Sequence, residues 1–325
     1  RTSPLSSDKQ GTDHPSKPED FEHEPHSWRG GVCPFCYGNE SLTPPEIDAI
    51  RDSRTSPNTA GWQVRVVPNK FPALQIEGDL DRRGIGIYDM SNGVGADEVL
   101  IDSPYHHKDI PDLLNPEIEN IISMLCRRAL DLIKDKRFKY IMVFKNYGPA
   151  AGASLEHPHT QTIALPMVPK NVMEEIKGAH NYFEYRERCI FCDIIRQETQ
   201  EKERIILENK YFLAFCPFVS RFPFEIWIIP KKHNAYFCHM PAEEITALAS
   251  ILKDTVTKVK NVFSGPAYNL IIHSSPVNGD GGIEGYHWHI EFMPKLTRVA
   301  GFEWGSGFYV VSTPPELAAK YLRET

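Results

Sequence analysis

The sequence predicts an α+β fold in which one antiparallel unit with a single long helix occurs twice. Two CxxC pairs, CPFC at 33–36 and CIFC at 189–192, each open a similar series of elements. In both series an apolar strand ending at a histidine precedes an amphipathic helix and a second apolar strand. Both series close on an HxH motif, at 157–159 and at 287–289. Six features repeated in one order indicate an internal duplication.

The first strand of each series is apolar and ends at a proline-containing turn before a histidine. In EVLIDSPYH, Glu98 stands eight residues before His106. In EIWIIPKKH, Glu225 stands eight residues before His233. Proline commonly interrupts a strand, because it cannot donate a ladder hydrogen bond. We therefore expect each strand to stop just before its histidine.

An amphipathic helix and a second strand follow in both series. The helices are expected over 116–134 (PEIENIISMLCRRALDLIK) and over 241–260 (PAEEITALASILKDTVTKVK). Both begin with proline and acidic residues, which are favoured in the first turn of a helix. The strands that follow, YIMVFKN and YNLIIHS, begin at Tyr140 and Tyr268.

The polar, charged stretch over 170–188 separates the two series and predicts a division into units 1–170 and 171–325. Each unit is expected to form an antiparallel half-barrel sheet with one long helix. We expect the two sheets to pack as one pseudo-symmetric body.

Composition and charge exclude some classes of function. A hydrophobic content of 41% suits a globular protein with a proper core. The net charge of −7 argues against a nucleic-acid-binding protein but permits an anionic small-molecule substrate. No run approaches the roughly 18 apolar residues of a membrane helix. The polar N-terminal stretch has no apolar signal-peptide core, so a cytoplasmic location is expected.

The repeated cysteines and histidines predict two metal sites. Zinc prefers four tetrahedral ligands drawn from Cys and His, and iron is an alternative for such a donor set. The predicted ligands are Cys33, Cys36, His106 and His157 in the first unit, and Cys189, Cys192, His233 and His287 in the second. His107 could replace its neighbour, and reduced cysteines with unrelated histidines are the alternative for either site.

The second histidine of each HxH motif is left for chemistry. In an extended segment every second side chain points to one face, so His159 and Gln161 project together. A glutamine can donate to a phosphate oxygen, whereas Glu291, two residues after His289, would repel one. The small residues AAGAS before the first motif let backbone N–H groups approach an anion, whereas the acidic loop GDGGIEGY precedes the second. His159 is therefore the predicted nucleophile toward phosphorus, and polar residues on an exposed strand face are the alternative.

Short motifs that occur in one order over roughly residues 33–323 add a resemblance. They are CPFC, VRVVPNKFPAL, SPYH, GASLEHPHTQ, HWHIEFMP and AGFEWGSGFYV. Together they resemble the galactose-1-phosphate uridylyltransferase family of the histidine-triad superfamily. The second CxxC pair resembles a branch with two zinc sites, some members of which resemble ADP-glucose:phosphate adenylyltransferases. The resemblance implies two histidine-triad-like units, two Zn²⁺ per chain and a homodimer.

The resemblance also implies a ping-pong nucleotidyl transfer, in which His159 attacks the α-phosphorus of a nucleotide sugar and a sugar phosphate leaves. The same matching implies roles for further residues. Ser154 and Gln161 would bind the transferred phosphate, Asn146 would lie near the phosphates, Asn69 and Phe71 in the nucleotide pocket, and Glu303 in the segment that touches the sugar. Lys17 stands where the family has an arginine.

Uridylyl transfer from UDP-glucose to a hexose 1-phosphate such as galactose 1-phosphate is the expected reaction. Adenylyl transfer from ADP-glucose to phosphate is the alternative within the same family. Small hydrolases of the superfamily carry a histidine where this chain has Gln161, and a glutamine adds no acid–base group that could activate water, which favours transfer. A zinc-stabilised scaffold without activity is the non-enzymatic alternative.

Overall fold

The computed structural model describes residues 32–279 and 285–325. The strands are β1 (Asp48–Arg51), β2 (Trp62–Pro68), β3 (Arg83–Ile85), β4 (Tyr88–Met90), β5 (Ala96–Ile101), β6 (Tyr140–Tyr147), β7 (His159–Leu165), β8 (Ile205–Glu208), β9 (Phe212–Phe215), β10 (Ile226–Pro230), β11 (Tyr268–His273) and β12 (His289–Pro294). The α-helices are α1 (Asn115–Leu132), α2 (Lys170–Arg186), α3 (Ile190–Glu201), α4 (Ala242–Phe263), α5 (Gly301–Ser306) and α6 (Pro315–Arg323).

Ten strands form one antiparallel sheet in the order β1-β2-β5-β7-β6-β11-β12-β10-β9-β8. The second half of this order repeats the first half in reverse, and β6 pairs with β11 where the halves meet. β3 and β4 form a separate hairpin. The α+β prediction of repeated antiparallel sheets is confirmed, and the two sheets are joined edge to edge into one. The boundary between units 1–170 and 171–325 stays a prediction.

The two long helices pack against each other on one face of the sheet. In α1 the buried side chains recur every three or four residues, which gives one apolar stripe: Ile118, Ile121, Ile122, Leu125, Ala129 and Leu132. Glu117 accepts a hydrogen bond from the Leu114 N–H at 2.6 Å and closes the first turn. α4 likewise begins with two acidic residues. The opposite face of the sheet carries the HxH motifs. None of the helices within the described residues is long and apolar enough to span a membrane.

The segment predicted as a polar boundary is helical. α2 occupies 170–186, and its apolar residues Val172, Ile176, Ala179 and Phe183 recur at helical spacing. Ala179 and Ile176 pack in a small core with Phe191 of α3. The high content of charged residues hid this pattern, because α2 is largely exposed and has only a narrow apolar stripe.

The strands begin at Tyr140 and Tyr268 as expected, but the two tyrosines do not occupy equivalent positions of the repeat. Phe144 and Ile271 are equivalent, because each pairs with the residue two beyond the second histidine of its HxH motif. They also pair with each other, so both face the same side of the sheet. Tyr140 lies four residues before Phe144, whereas Tyr268 lies three residues before Ile271. The two tyrosines therefore face opposite sides.

The glutamates matched by spacing also lie on opposite faces. Glu98 accepts hydrogen bonds from Arg128 of α1 at 2.8 and 2.9 Å, so it faces the helix layer. Glu225 accepts one from the indole of Trp227 at 3.2 Å, and that indole stacks on His289. A shift of one residue moves a whole strand's side chains to the other face, which spacing alone could not detect.

Candidate functional site

The HPH motif lies where the chain enters β7, beside the end of β5. His157 is fully buried, and its Nε2 donates to the carbonyl oxygen of Ser103 at 2.8 Å. That bond leaves Nδ1 with a free lone pair directed at the CPFC cysteines. Burial lowers the pKa of His157 to about 4, so the ring is neutral at pH 7.

The four predicted donors of the first unit meet at one point. Cys36 Sγ lies 3.1 Å from His106 Nδ1, and both cysteine sulfurs lie 3.8 Å from Nδ1 of His157. The other nitrogen of His106, Nε2, lies 3.4 Å from a Glu156 oxygen. His107 is largely exposed. Its Nδ1 lies 3.5 Å from the other oxygen of that carboxylate, and its ring lies edge-on to the His106 ring at a centroid distance of 4.5 Å. A Cys₂His₂ set in which the second ring nitrogen of His157 is hydrogen-bonded and that of His106 faces a carboxylate fits zinc.

The second unit repeats this arrangement. Cys192 Sγ lies 3.6 Å from Nδ1 of both His233 and His287. Cys189 completes the group, whose four donor atoms all lie within 4.8 Å of one another. His287 Nε2 donates to the Pro230 carbonyl at 2.8 Å, as its counterpart does to a carbonyl in the first unit. The structure therefore has two candidate zinc sites.

His159 is positioned by the backbone of the first metal-site histidine. Its Nδ1 donates to the His157 carbonyl oxygen at 2.8 Å, which leaves the lone pair on Nε2. The ring is 5% exposed and lies 5.5 Å from the ring of Phe35. Burial lowers the pKa of His159, and the charge of Lys145 acts in the same direction. A neutral imidazole with a fixed tautomer can act as a nucleophile.

Gln161 and Asn146 lie on the same face as His159. Gln161 is two residues further along β7 and pairs with Phe144 of β6, and Asn146 is two residues beyond that phenylalanine. The Asn146 side-chain oxygen accepts a hydrogen bond from Asn269 at 2.7 Å, which fixes its amide. Ser154 is exposed in the turn before the motif, after Gly152, whose φ of 86° favours glycine.

The predicted nucleotide-pocket residues follow β2 and are held by a residue that the sequence did not single out. Asn69 donates to both carboxylate oxygens of Asp97 at 3.2 Å, and that carboxylate also accepts the Ala73 N–H. Phe71 donates its N–H to the Asn69 side-chain oxygen, and its ring is 84% exposed. Asp97 belongs to β5 and pairs with Ile163 of β7, so it ties this loop to the HxH strand.

Glu303 lies in the short helix α5, where it accepts the Ala300 N–H at 3.0 Å. Among the described residues, no hydrogen bond or ion pair joins Glu303 to β7, and its place near a sugar stays a prediction. Lys17 lies outside the described residues. So do Asp280 and Glu284, the acids of the loop before the second HxH motif.

The second HxH motif has the same backbone geometry but different surroundings. His289 Nδ1 donates to the His287 carbonyl at 3.2 Å. Trp227 stacks on its ring at a centroid distance of 4.6 Å, and Glu175 of α2 lies 3.4 Å from its Nε2. Glu291 stands where the first unit has a glutamine. An aromatic ring and two carboxylates thus occupy the space in which a phosphate would have to bind.

Three residues near His289 were not predicted from the sequence: Glu175, Arg221 and His273. His273 lies between Glu175 at 2.9 Å and Glu291 at 3.1 Å, and Arg221 forms a further ion pair with Glu291. Burial opposes a charge on His273, but the two carboxylates outweigh it and raise its pKa to about 10. Glu175, His273 and His289 also bring three donor atoms within 4.8 Å. Only the helical period of α2 could have indicated that Glu175 faces the sheet.

Comparison with known proteins agrees with this geometry. The domain descriptions "Galactose-1-phosphate uridyl transferase, N-terminal domain" and "C-terminal domain" match residues 39–169 and 175–305. ADP-glucose phosphorylase of Arabidopsis thaliana is 35% identical over 320 residues, which are 97% of this chain and 87% of the relative. Galactose-1-phosphate uridylyltransferase of Thermotoga maritima is 30% identical over 90% of this chain and 89% of the relative.

Solved structures show the same similarity. An ADP-glucose phosphorylase from Arabidopsis thaliana with bound ADP-glucose has a TM-score of 0.80 and 35% identity, and the match covers 90% of each chain. A uridylyltransferase structure has a TM-score of 0.78 and 27% identity, and the match covers 93% of each chain. Both domain matches and both relatives indicate nucleotidyl transfer between sugar-phosphate species. The chain belongs to the galactose-1-phosphate uridyl transferase family and is a nucleotidyltransferase.

Proposed function

We propose that this chain moves a nucleoside monophosphate from a nucleotide sugar to a phosphate acceptor through a covalent nucleotidyl-His159. The observation that carries the proposal is the hydrogen bond from His159 Nδ1 to the His157 carbonyl oxygen. That bond fixes the tautomer whose Nε2 lone pair is free to attack phosphorus.

The transfer takes two displacements at the α-phosphorus. In the first, the Nε2 lone pair forms a P–N bond, and the bond to the bridging oxygen breaks, so the sugar 1-phosphate leaves with the electron pair. In the second, an oxygen of the acceptor phosphate attacks, and the P–N bond electrons return to Nε2. Gln161 and Ser154 would donate hydrogen bonds to the non-bridging oxygens, on which charge develops. Asn146 would contact the adjoining phosphate.

The group that is transferred is either adenylyl or uridylyl. We place ADP-glucose and inorganic phosphate first, because the ADP-glucose phosphorylase matches 97% of this chain at 35% identity. UDP-glucose with a hexose 1-phosphate, the reaction expected from the motifs, is the second candidate, supported by the 30% identical uridylyltransferase. The loop that Asp97 holds, with Asn69 and Phe71, would contact the nucleotide, and Glu303 the sugar.

Two Zn²⁺ ions per chain would have structural roles. The two Cys₂His₂ groups offer four ligands each, and a structural zinc site leaves no ligand position open. When bound, the first ion would fix His157, whose carbonyl oxygen orients His159. The second would hold the N-terminus of α3 against the segment that leads into β12, without contact to substrate.

A homodimer is the proposed assembly. Two exposed segments carry large apolar side chains: Ile87 and Tyr88 in the β3–β4 hairpin are 90% and 69% exposed, and Phe302 and Trp304 in α5 are 59% and 79% exposed. Apolar patches of this kind commonly mark interaction surfaces. Light scattering on the purified protein would give the assembled mass. The cytoplasmic location stays a prediction.

Exchange of labelled sugar phosphate tests the reaction and the nucleotide together. Labelled glucose 1-phosphate is incubated with the protein and unlabelled ADP-glucose or UDP-glucose, with no other acceptor. A covalent intermediate allows label to enter the nucleotide sugar, and the donor that exchanges faster identifies the base. A parallel reaction with inorganic phosphate or galactose 1-phosphate measures net transfer. Net transfer there, without label exchange in the absence of that acceptor, would contradict the covalent route. Release of free AMP or UMP at the rate of donor loss would identify a hydrolase.

A further inference from the structure

The two residues that follow β5, Asp102 and Ser103, form hydrogen bonds with the HPHT segment at 157–160. Asp102 Oδ1 accepts the Thr160 hydroxyl at 2.9 Å, and the Asp102 N–H donates to the Pro158 carbonyl at 3.3 Å. The next carbonyl, that of Ser103, accepts His157 Nε2 at 2.8 Å. Two consecutive residues thus contact three of the four residues 157–160, all except His159.

The carboxylate of Asp102 is itself held by a buried lysine. Lys145 Nζ lies 2.7 Å from Asp102 Oδ2 and 3.2 Å from Asp109, and the lysine and Asp102 side chains are each 2% exposed. Taking such charges out of water is costly, and apolar residues of similar volume often serve stability as well or better. A fold gains little by keeping this pair for stability alone.

The second unit shows that the fold does not require the pair. Thr160 corresponds to Ile290, since both follow the second histidine of their HxH motif. Ile272 of β11 pairs with Ile290 of β12. In the first unit Phe144 pairs with Gln161, so the next residue, Lys145, lies beside Thr160. Lys145 is therefore the counterpart of Ile272. Both isoleucines are buried, at 4% and 1% exposure.

Asp102 has an apolar counterpart as well. Leu100 pairs with Thr160, and Ile228 pairs with Ile290. Asp102 lies two residues after Leu100, and Pro230 lies two residues after Ile228. Pro230 is therefore the counterpart of Asp102. The polar trio of the first unit consists of Asp102, Lys145 and Thr160. It adjoins the apolar residues of the second unit, because the trio lines a cavity of about 30 Å³ together with Ile272 and Ile290. The buried polar trio therefore occurs behind the HxH motif that is proposed to bind the phosphate, and apolar residues replace it behind the other motif.

We propose that Asp102, held by Lys145 and bonded to Thr160, is a positioning residue that sets the strand carrying the nucleophile His159. This role rests on the nucleotidyl transfer proposed above. His157 holds the backbone before His159 through its hydrogen bond to Ser103, and Thr160 holds the backbone after His159 through its hydrogen bond to Asp102. Misplacing a reacting atom by about 1 Å can cost a factor of 10² in rate, so a fixed position on both sides is a large effect.

Four variants separate positioning from packing. Thr160→Val removes the hydroxyl donor at nearly constant volume, and Thr160→Ser restores it. Asp102→Asn removes the charge but leaves Asp109 as a partner for the lysine. Thr162→Val is the matched control, because Thr162 is the next buried threonine of β7 on the same face. For each variant we would measure the single-turnover rate of nucleotidyl-enzyme formation, the dissociation constant of the donor, zinc content and the melting temperature.

We expect Thr160→Val and Asp102→Asn to slow nucleotidyl-enzyme formation about 10- to 100-fold, the usual cost of losing an orienting contact. The donor dissociation constant and zinc content should not change, and Thr160→Ser should recover most of the rate. Equal rates for Thr160→Val and Thr162→Val would overturn the role of Asp102, as would a slow rate explained by lost zinc or unfolded protein. A wild-type chain that forms no adduct would instead overturn the proposed function, and this role with it.

Discussion

His159 Nδ1 lies 2.8 Å from the carbonyl oxygen of His157, so the backbone of His157 orients the His159 ring. His289 has the same relationship to His287, at 3.2 Å. The backbone geometry of an HxH motif is therefore common to both units. The residues around the second histidine make the difference, since a glutamine follows in one unit and a glutamate, an indole and a helix carboxylate surround the other.

The charge at residue 161 should decide whether the first site accepts a phosphate. Gln161→Glu places a carboxylate where the second unit has Glu291. We expect adduct formation to slow by about 10²-fold or more, because a donor to a developing oxyanion is lost and a like charge is added. Single-turnover mass spectrometry with the identified donor would measure the rate. Gln161→Ala is the control, and an equal loss in both variants would contradict the repulsion argument.

The two metal sites should differ in their effect on catalysis. Cys36→Ala removes a ligand of the first group, and Cys192→Ala removes one of the second. Each variant should lose one of two zinc ions by elemental analysis. We expect the first to slow adduct formation at least ~10-fold, because His157 loses its anchor. The second should mainly lower the melting temperature. Comparable rate losses in the two variants, measured below both melting temperatures, would contradict the separate roles.

The ion network around His273 predicts a pH window of stability. Burial opposes the charges of Glu175 and Glu291, but histidine partners outweigh it for both carboxyls and lower their pKa values, and Arg221 adds to this effect at Glu291. Their contribution is present above about pH 4.3, the unfolded value, and is lost as the pH falls. The pKa of His273 is raised to about 10, so its contribution is complete below about pH 6.5 and is lost as the pH rises through 10.

Urea unfolding of wild type and His273→Gln between pH 4 and pH 10 would measure this contribution. We expect a difference of about 3 kcal/mol between pH 4.5 and pH 6.5, the scale of a buried ion pair with one partner removed. The difference should shrink toward both ends of the range. A difference that does not vary with pH would indicate a packing effect and contradict the ionic account.

Much of the fold was predictable because the duplication repeats whole elements. The strands that begin at Tyr140 and Tyr268, and the two long helices, were expected within a few residues of their observed bounds. The clustering of Cys33 with His106, some 70 residues away, was also expected, because the same cysteine and histidine donors recur in both units.

The remaining features depend on register and on distant contacts. The opposite faces of Tyr140 and Tyr268 follow from a shift of one residue, which no spacing between motifs reveals. Glu175 and Asp97 act only through partners more than 20 residues away in sequence. Lys145 looked like an ordinary strand residue, because nothing in YIMVFKN indicates that its ammonium lies buried between two aspartates.

Denaturing mass spectrometry under alkaline conditions tests the central claim most directly. Zinc-loaded wild type, His159→Ala and His289→Ala are each incubated with ADP-glucose and with UDP-glucose in the absence of acceptor. We expect wild type and His289→Ala to gain the mass of an adenylyl or uridylyl group, which is AMP or UMP less one water, and His159→Ala to gain nothing. An adduct that survives in His159→Ala, or that disappears only in His289→Ala, would contradict the assignment of His159 as the nucleophile.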